Sequence, residues 1–496
     1  RSCGLETFMQ HYITHFPEGL ARAHDLPFKS TKLGSRLSAL DHPVVDAYSR
    51  YIYRRTFEIL PELSGLYVNF ESAPNSGAFV KRNLFPEIAR ARRKPTLVFR
   101  LWDFNSPAAM KALLADCPTK FRLGHKVMDR ADMYYYPKAD PRVLEWKRQL
   151  GDVEWMFLVG PCHNCATAQS RKLWCDADFV QAVLADAQAK GADSFAFHTV
   201  YELLSPDIPA KKVASTREIE MAHLNRGHLD ATVDYVRGEK RDEDVRVKRI
   251  SERLDIDTGR ARLALRATWH ASQISLLTFQ QHFVTSSEEA YLYPERRSFY
   301  QDPFLYPTMR FVNEEPGAAM TLTTAWMNRR LAIRNVGDDV QPVIDFVNPS
   351  KPKAARNPAV IARDIKRHSE AALAIARRAA GKRPSAVLSR LVASAREMAN
   401  WGMRVHYETL TAAALYSVFF SKSRAKTSGL LRRAISHLRA ATAFMKKDDP
   451  LSARRIPLIQ EAAPEADMRR LRRFAAHIDA GGFPYAAFAA FAGSLE

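Results

Sequence analysis

Five short stretches of this 496-residue chain end in side chains that can move protons or hold charge. They are Glu71; Arg100 with Trp102 and Asp103; Lys126 with Asp129 and Asp132; Cys162, His163 and Asn164; and His198 with Tyr201 and Glu202. Each follows an apolar run of strand-forming residues. Paired carboxyl groups suit glycoside hydrolysis: one, held protonated, gives its proton to the leaving oxygen, and the other, ionised, activates water or attacks the sugar. Glu71, Asp129 and Asp132 are the candidate carboxyl groups. Arg100 and Lys126 would hold a negative group on the substrate, and Trp102, His163 and Glu202 complete the candidate binding set. Taken singly, each residue is more simply a salt bridge or a loop cap. Their recurrence at one end of successive strands is what points to a site.

The stretch that must place Glu71 is PELSGLYVNFESAP, residues 61–74. Leu66, Val68 and Phe70 alternate with Tyr67, Asn69 and Glu71, the period-two signature of a strand. In a parallel barrel one such set packs under helices and the other faces the lumen, where the last residue reaches the active-site mouth. The chain before and after repeats the theme. Residues 5–15 read as a strand running into a long loop, and 41–59 as a helix with Asp41 and Pro43 as its start signals. Further strands are expected at 95–104 and from Lys120, Glu154 and Asp193, separated by helices near 83–93, 107–116, 141–150 and 176–190.

Six strands with helical crossovers predict parallel βα units. The expected fold class is α/β, a (β/α)8 TIM-type barrel with about six strands here and its first units upstream, followed by an all-α domain. Beyond Ser215 the pattern turns helical, at about 216–237, 257–284, 357–381, 384–422, 425–446 and 464–480. The expected domains are therefore 1–214 and 215–496. Between the second and third of these helices lies an aromatic stretch with Tyr291, Tyr293, Arg296, Arg297 and Tyr300, which could fold over a sugar site or pack the domains together.

Composition narrows the function classes. At 46% hydrophobic the chain is globular, and no window approaches the roughly 18 consecutive apolar residues of a membrane span. The net charge is +20, and it is uneven: residues 1–210 carry 27 Lys and Arg against 23 Asp and Glu, whereas 211–496 carry 47 against 31. The excess is arginine mixed with alanine on helices, the pattern of a solvated face, so nucleic-acid binding is not the expectation. Five cysteines argue against a disulfide framework. Cys162 and Cys165 form a Cys-x-x-Cys pair, but with only Cys175 nearby the second half of a structural zinc site is missing, and no metal or cofactor is expected. The chain begins with Arg1 rather than Met, so an upstream segment is expected and the compartment is not legible.

The run DHPVVDAYSRYIYRRTFEILPELSGLYVNFESAPNSG resembles the α-glucuronidases of glycoside hydrolase family 67, where a helix ending in an aromatic precedes a strand closing on a Ser-Glu pair and a Pro/Gly loop. VFRLWDF is similar to that family's Trp-Arg-Ala-Phe strand, with Arg100 at its Arg. LGHKVMDRADMYY is similar to its Lys-bearing strand, with Lys126 at the Lys. The resemblance implies that Glu71 is the general acid, that Arg100 and Lys126 hold a uronate carboxylate, and that an Asp belongs to the base apparatus. It also implies a barrel followed by a helical domain. Two departures stand beside it. The family's Asp falls at Ala131, between Asp129 and Asp132, and its base Glu falls where this chain has Gly160 and Pro161.

The leading expectation is a glycosidase for an acidic, uronic-acid-containing carbohydrate, with altered substrate or base. The missing base Glu favours an alternative, a carbohydrate-binding protein on a degenerate barrel. Charge alone favours a third, a basic helical scaffold for nucleic acid. A homodimer through the helical domain is also expected.

Overall fold

A computed structural model of the chain describes residues 6–31, 34–70, 75–101, 106–126, 142–159, 175–197, 227–239, 242–281, 340–341, 343–421 and 423–448, with the single positions 472 and 476. Two compact units result: Arg1–Asp129, Lys138–Gly160 and Ala182–His198 in the first, and Arg130–Pro137, Pro161–Gln181 and Thr199–Glu496 in the second. The boundary expected at 214/215 lies outside the described residues.

Strands of the first unit are β1 (Phe8–Tyr12), β2 (His15–Phe16), β3 (Phe28–Thr31), β4 (Gly34–Leu37), β5 (Gly65–Asn69), β6 (Thr96–Arg100), β7 (Phe121–Lys126), β8 (Trp155–Val159) and β9 (Ser194–Phe197). Six of them, in the order β1-β5-β6-β7-β8-β9, pair in parallel as one curled half-barrel. Strand order follows chain order without a switch, as in a barrel and unlike a doubly wound sheet.

The alternation expected of residues 65–70 is observed. Leu66, Val68 and Phe70 are fully buried on one face with Leu97, Phe99, Leu123, Trp155 and Phe157, and the Phe70 and Phe99 rings stack at 5.9 Å. This layer lies on the face that crossover helices cover in βα units. The helices come from local signals. In α2 (Pro43–Ile59) the His42 ring accepts a bond from the Val44 amide at 3.2 Å and Pro43 fixes the first turn. In α4 (Pro107–Ala115) Ser106 accepts from the Ala109 amide at 3.4 Å. Between them, α3 (Ser76–Arg90) starts earlier than its sequence pattern suggests, after Asn75 in the left-handed region at φ 59°.

A polar seam joins α2 to α3. Arg54 donates twice to Glu87 at 3.1 Å, and Asp46 accepts from Arg82 at 2.7 Å and from Asn83 at 2.6 Å. Hydrogen bonding from Arg54 holds the Glu87 carboxyl below its ordinary range.

The expected long loop after β1 is not one. It folds as α1 (Glu18–Ala23) and a three-stranded antiparallel sheet, β2-β4-β3. Its strands are only two to four residues long and lack an alternating apolar face, which hid them from pattern reading.

Earlier in the chain α5 (Arg142–Leu150) belongs to the first unit and α6 (Ala177–Ala189) is divided between the two; the second unit is otherwise helical, with α7 (Gly227–Val236), α8 (Glu243–Leu254), α9 (Thr258–Gln281), α10 (Val343–Val347), α11 (Pro358–Ala380), α12 (Ala386–Tyr416) and α13 (Arg424–Asp448). Its core is made of small residues and a few large ones: Ala264, Ala267, Ala271, Ala372, Ala376 and Ala395 against Ile274, Met398 and Trp401. Alanine stripes let helix axes approach closely. At Gly402 an added Cβ would stand 2.0 Å from the Ser369 hydroxyl and 2.9 Å from Ile274. No helix among the described residues is long and apolar enough to cross a membrane.

Candidate active site at the carboxyl ends of the parallel strands

Paired residues of parallel strands point to the same face, so the register assigns the concave side. Tyr67, Val98 and Met156 cluster there, and Phe8 from edge strand β1 and Ala196 from edge strand β9 both pack against them. Both edges reaching one cluster is what curling of the sheet produces. Tyr67 spans β6 because β7 supplies no side chain beneath it: a Cβ on Gly124 would lie 2.9 Å from the Tyr67 hydroxyl and 3.0 Å from Val98.

The two ends of this face differ in chemistry. Toward the amino-terminal ends Arg122 donates to Glu6 at 2.8 Å, ion-pairs with Glu154 and lies over the Phe8 ring at 5.8 Å. Glu6 and Glu154 precede their strands, so this cluster closes the end that barrels use for stability.

Toward the carboxyl ends the face becomes cationic. Arg100, the last residue of β6, is 5% exposed and donates through Nη1 to Oδ1 of the fully buried Asn69 at 2.8 Å. Asn69 ends β5, and its Nδ2 donates to the His11 carbonyl at 3.5 Å. Arg100 is paired in register with Gly124, and Lys126 ends β7 two residues further on. Arg100 and Lys126 thus end adjacent strands of the sheet. Glu71, Trp102, Asp129, Asp132, His163 and Glu202 lie outside the described residues.

Asn69 is the residue that sequence reasoning undervalued. It was legible only as a polar side chain on the inward face two residues before Glu71.

His11, on the opposite face of β1, is buried against Tyr53 of α2, with Nε2 to hydroxyl 2.8 Å and the rings edge to face at 5.1 Å. Burial, reinforced by nearby His15, pushes its pKa down to about 4, and burial pushes the Tyr53 phenol up. The unfolded chain, titrating near 6.5, therefore binds more protons than the folded one between those values. Stability from this group is complete above pH 6.5 and drains away as pH falls toward 4. The loss should reach on the order of 3 kcal/mol, read from denaturant midpoints across that range, and His11→Gln should flatten the profile. An equal pH slope in both proteins would assign the effect elsewhere.

Among the described residues no group of three His, Cys, Asp or Glu side chains could hold a metal. Cys175 is buried with its thiol pushed up by desolvation, and Cys162, His163 and Cys165 lie outside the described residues.

No protein-family model matches the chain. No curated protein matches it either. Among solved structures, it is similar to a GH138 enzyme targeting pectin rhamnogalacturonan II, with TM-score 0.66 and 13% identity over 90% of this chain and 50% of that one. A family 89 glycoside hydrolase from Clostridium perfringens, in complex with PUGNAc, gives TM-score 0.34 and 9% identity over 88% of this chain and 41% of that one. The chain spans about half the length of the GH138 structure that it matches. What the similarity shows is a shared fold. The shared fold does not single out family 67, to which the sequence resemblance points.

Proposed function

We propose that the chain belongs to a glycoside hydrolase acting on an acidic, uronic-acid-containing carbohydrate. Glu71 would be the proton donor and Asp132 or Asp129 the ionised partner. Arg100 and Lys126 would hold the carboxylate, with Trp102, His163 and Glu202 around the sugar. The observation that carries this reading is Arg100 itself: a buried guanidinium, oriented by a buried amide, at the carboxyl end of a parallel strand next to the strand that ends in Lys126. A cation in that place recognises an anion at the end where barrels do chemistry. The domains would divide near 214/215, the barrel carrying the site.

Hydrolysis of aryl glucuronides and galacturonides, compared with the matching neutral glycosides, tests the proposal. Arg100→Ala should weaken acidic substrates selectively, by on the order of 2–5 kcal/mol in a dry site. Equal losses on acidic and neutral sugars would mean that the substrate is not a uronide. Binding of uronides without turnover would favour the non-catalytic alternative.

A further inference from the structure

Asn69 occupies a position where aspartate could pair with the same guanidinium, but aspartate would add a negative charge and would lose the donor that meets the His11 carbonyl. Its amide is fully buried, and its surroundings fix which way it points. Oδ1 faces Arg100 Nη1 at 2.8 Å and Nδ2 faces the His11 carbonyl at 3.5 Å. Reversing the amide would set donor against donor and acceptor against acceptor, so chemistry dictates the assignment. The His11 carbonyl is itself held, because the His11 ring is locked to Tyr53. A connected path thus runs from α2 through β1 and β5 to Arg100 on β6. On the other side Gly124, in register with Arg100, contributes no side chain that could displace the guanidinium.

We propose that Asn69 is a positioning and specificity-determining residue: it fixes the Arg100 guanidinium without adding a negative charge beside it, so that the site selects a carboxylate-bearing sugar over its neutral counterpart. This rests on the reading of Arg100 as the carboxylate-holding residue. An ionised aspartate could pair with the guanidinium but could not donate to the His11 carbonyl, so the amide suits both neighbours; a purely structural amide would do so without changing which sugar binds.

The test is calorimetric titration of the full chain with galacturonate and glucuronate against galactose and glucose. The wild type should prefer the acids. Asn69→Asp keeps the shape and the bond to Arg100 but sets a negative charge at the point of recognition, and should reduce the acid-over-neutral preference by about tenfold or more. Asn69→Ala releases Arg100 and should also reduce the preference, but should cost nothing further in an Arg100→Ala background. Thermal melts report which variants fold, and either one alone suffices. A folded Asn69→Asp or Asn69→Ala protein with the wild-type preference would overturn the inference while leaving the role of Arg100 intact. A wild type that does not distinguish acids from neutral sugars would remove the reading of Arg100, and this inference with it.

Discussion

Gly65→Ala should destabilise the parallel-sheet unit by about 3 kcal/mol or more, because the new methyl has nowhere to go. A Cβ at this position would lie 2.2 Å from the Thr96 carbonyl oxygen and 2.4 Å from the Phe8 ring. The ring can turn, but the carbonyl belongs to the backbone of β6, and Gly65 is itself tied to the other side by its amide bond to the Thr7 carbonyl at 3.2 Å. Relief therefore requires β5 to move away from β6, which loosens the strand that carries Asn69. In a unit of this size such a loss lowers the melting temperature by roughly 6–12 °C. Gly19→Ala is the control. It lies in α1 with nothing within 4 Å of the added carbon, and helix propensity makes it neutral or slightly stabilising. Equal melting temperatures for the two variants would show that β5 and β6 are not packed as described.

Glu71→Gln should separate substrates by their leaving groups. Glutamine keeps the shape of the side chain but cannot donate a proton, so turnover of substrates with poor leaving groups should fall by roughly 10²–10⁴-fold. Activated aryl glycosides, whose leaving groups depart as stable anions, should lose much less. The comparison rests on the hydrolase activity proposed above and needs only two substrates of equal sugar and different aglycone. Equal losses on both would mean that Glu71 is not the acid.

The sequence made the parallel sheet legible because each of its strands is a short apolar or alternating run followed by a helical period. The strands expected from 95, 120, 154 and 193 are observed at Thr96–Arg100, Phe121–Lys126, Trp155–Val159 and Ser194–Phe197. Helices with an apolar stripe were equally readable: that expected at 357–381 spans Pro358–Ala380. What was missed carries only a thin stripe, Val247, Ile250 and Leu254, in a mostly charged segment. Helix α8, EDVRVKRISERL, buries only Val247 fully and is held instead by charge: Asp242 caps it through the Val245 amide at 2.9 Å, and Arg249 bonds to Asp234 at 2.9 and 3.2 Å. Side-chain partners of that kind depend on tertiary neighbours, which periodicity does not record.

The same distinction holds at the site. Arg100 could be picked out by type and place on its strand. The amide that orients it, and the glycines that make room around the lumen, became visible only once neighbouring strands were set in register.

The small sheet between β1 and α2 is a place where such a fold can diverge. It leaves the barrel at the carboxyl end of β1 and returns before Pro43, and it brings its own buried residues, Phe16, Ala21, Leu26, Leu37 and Leu40. Among its ties to the neighbouring elements, the Ile13 amide bonds to the Asn69 carbonyl at 3.2 Å, and Phe16 packs against Tyr48 at 4.6 Å. An insert with its own core can be lengthened, shortened or exchanged between lineages without repacking the strands that carry it. Because it is rooted beside Asn69, each such graft would redraw the approach to this end of the strands while the strands themselves stayed unchanged.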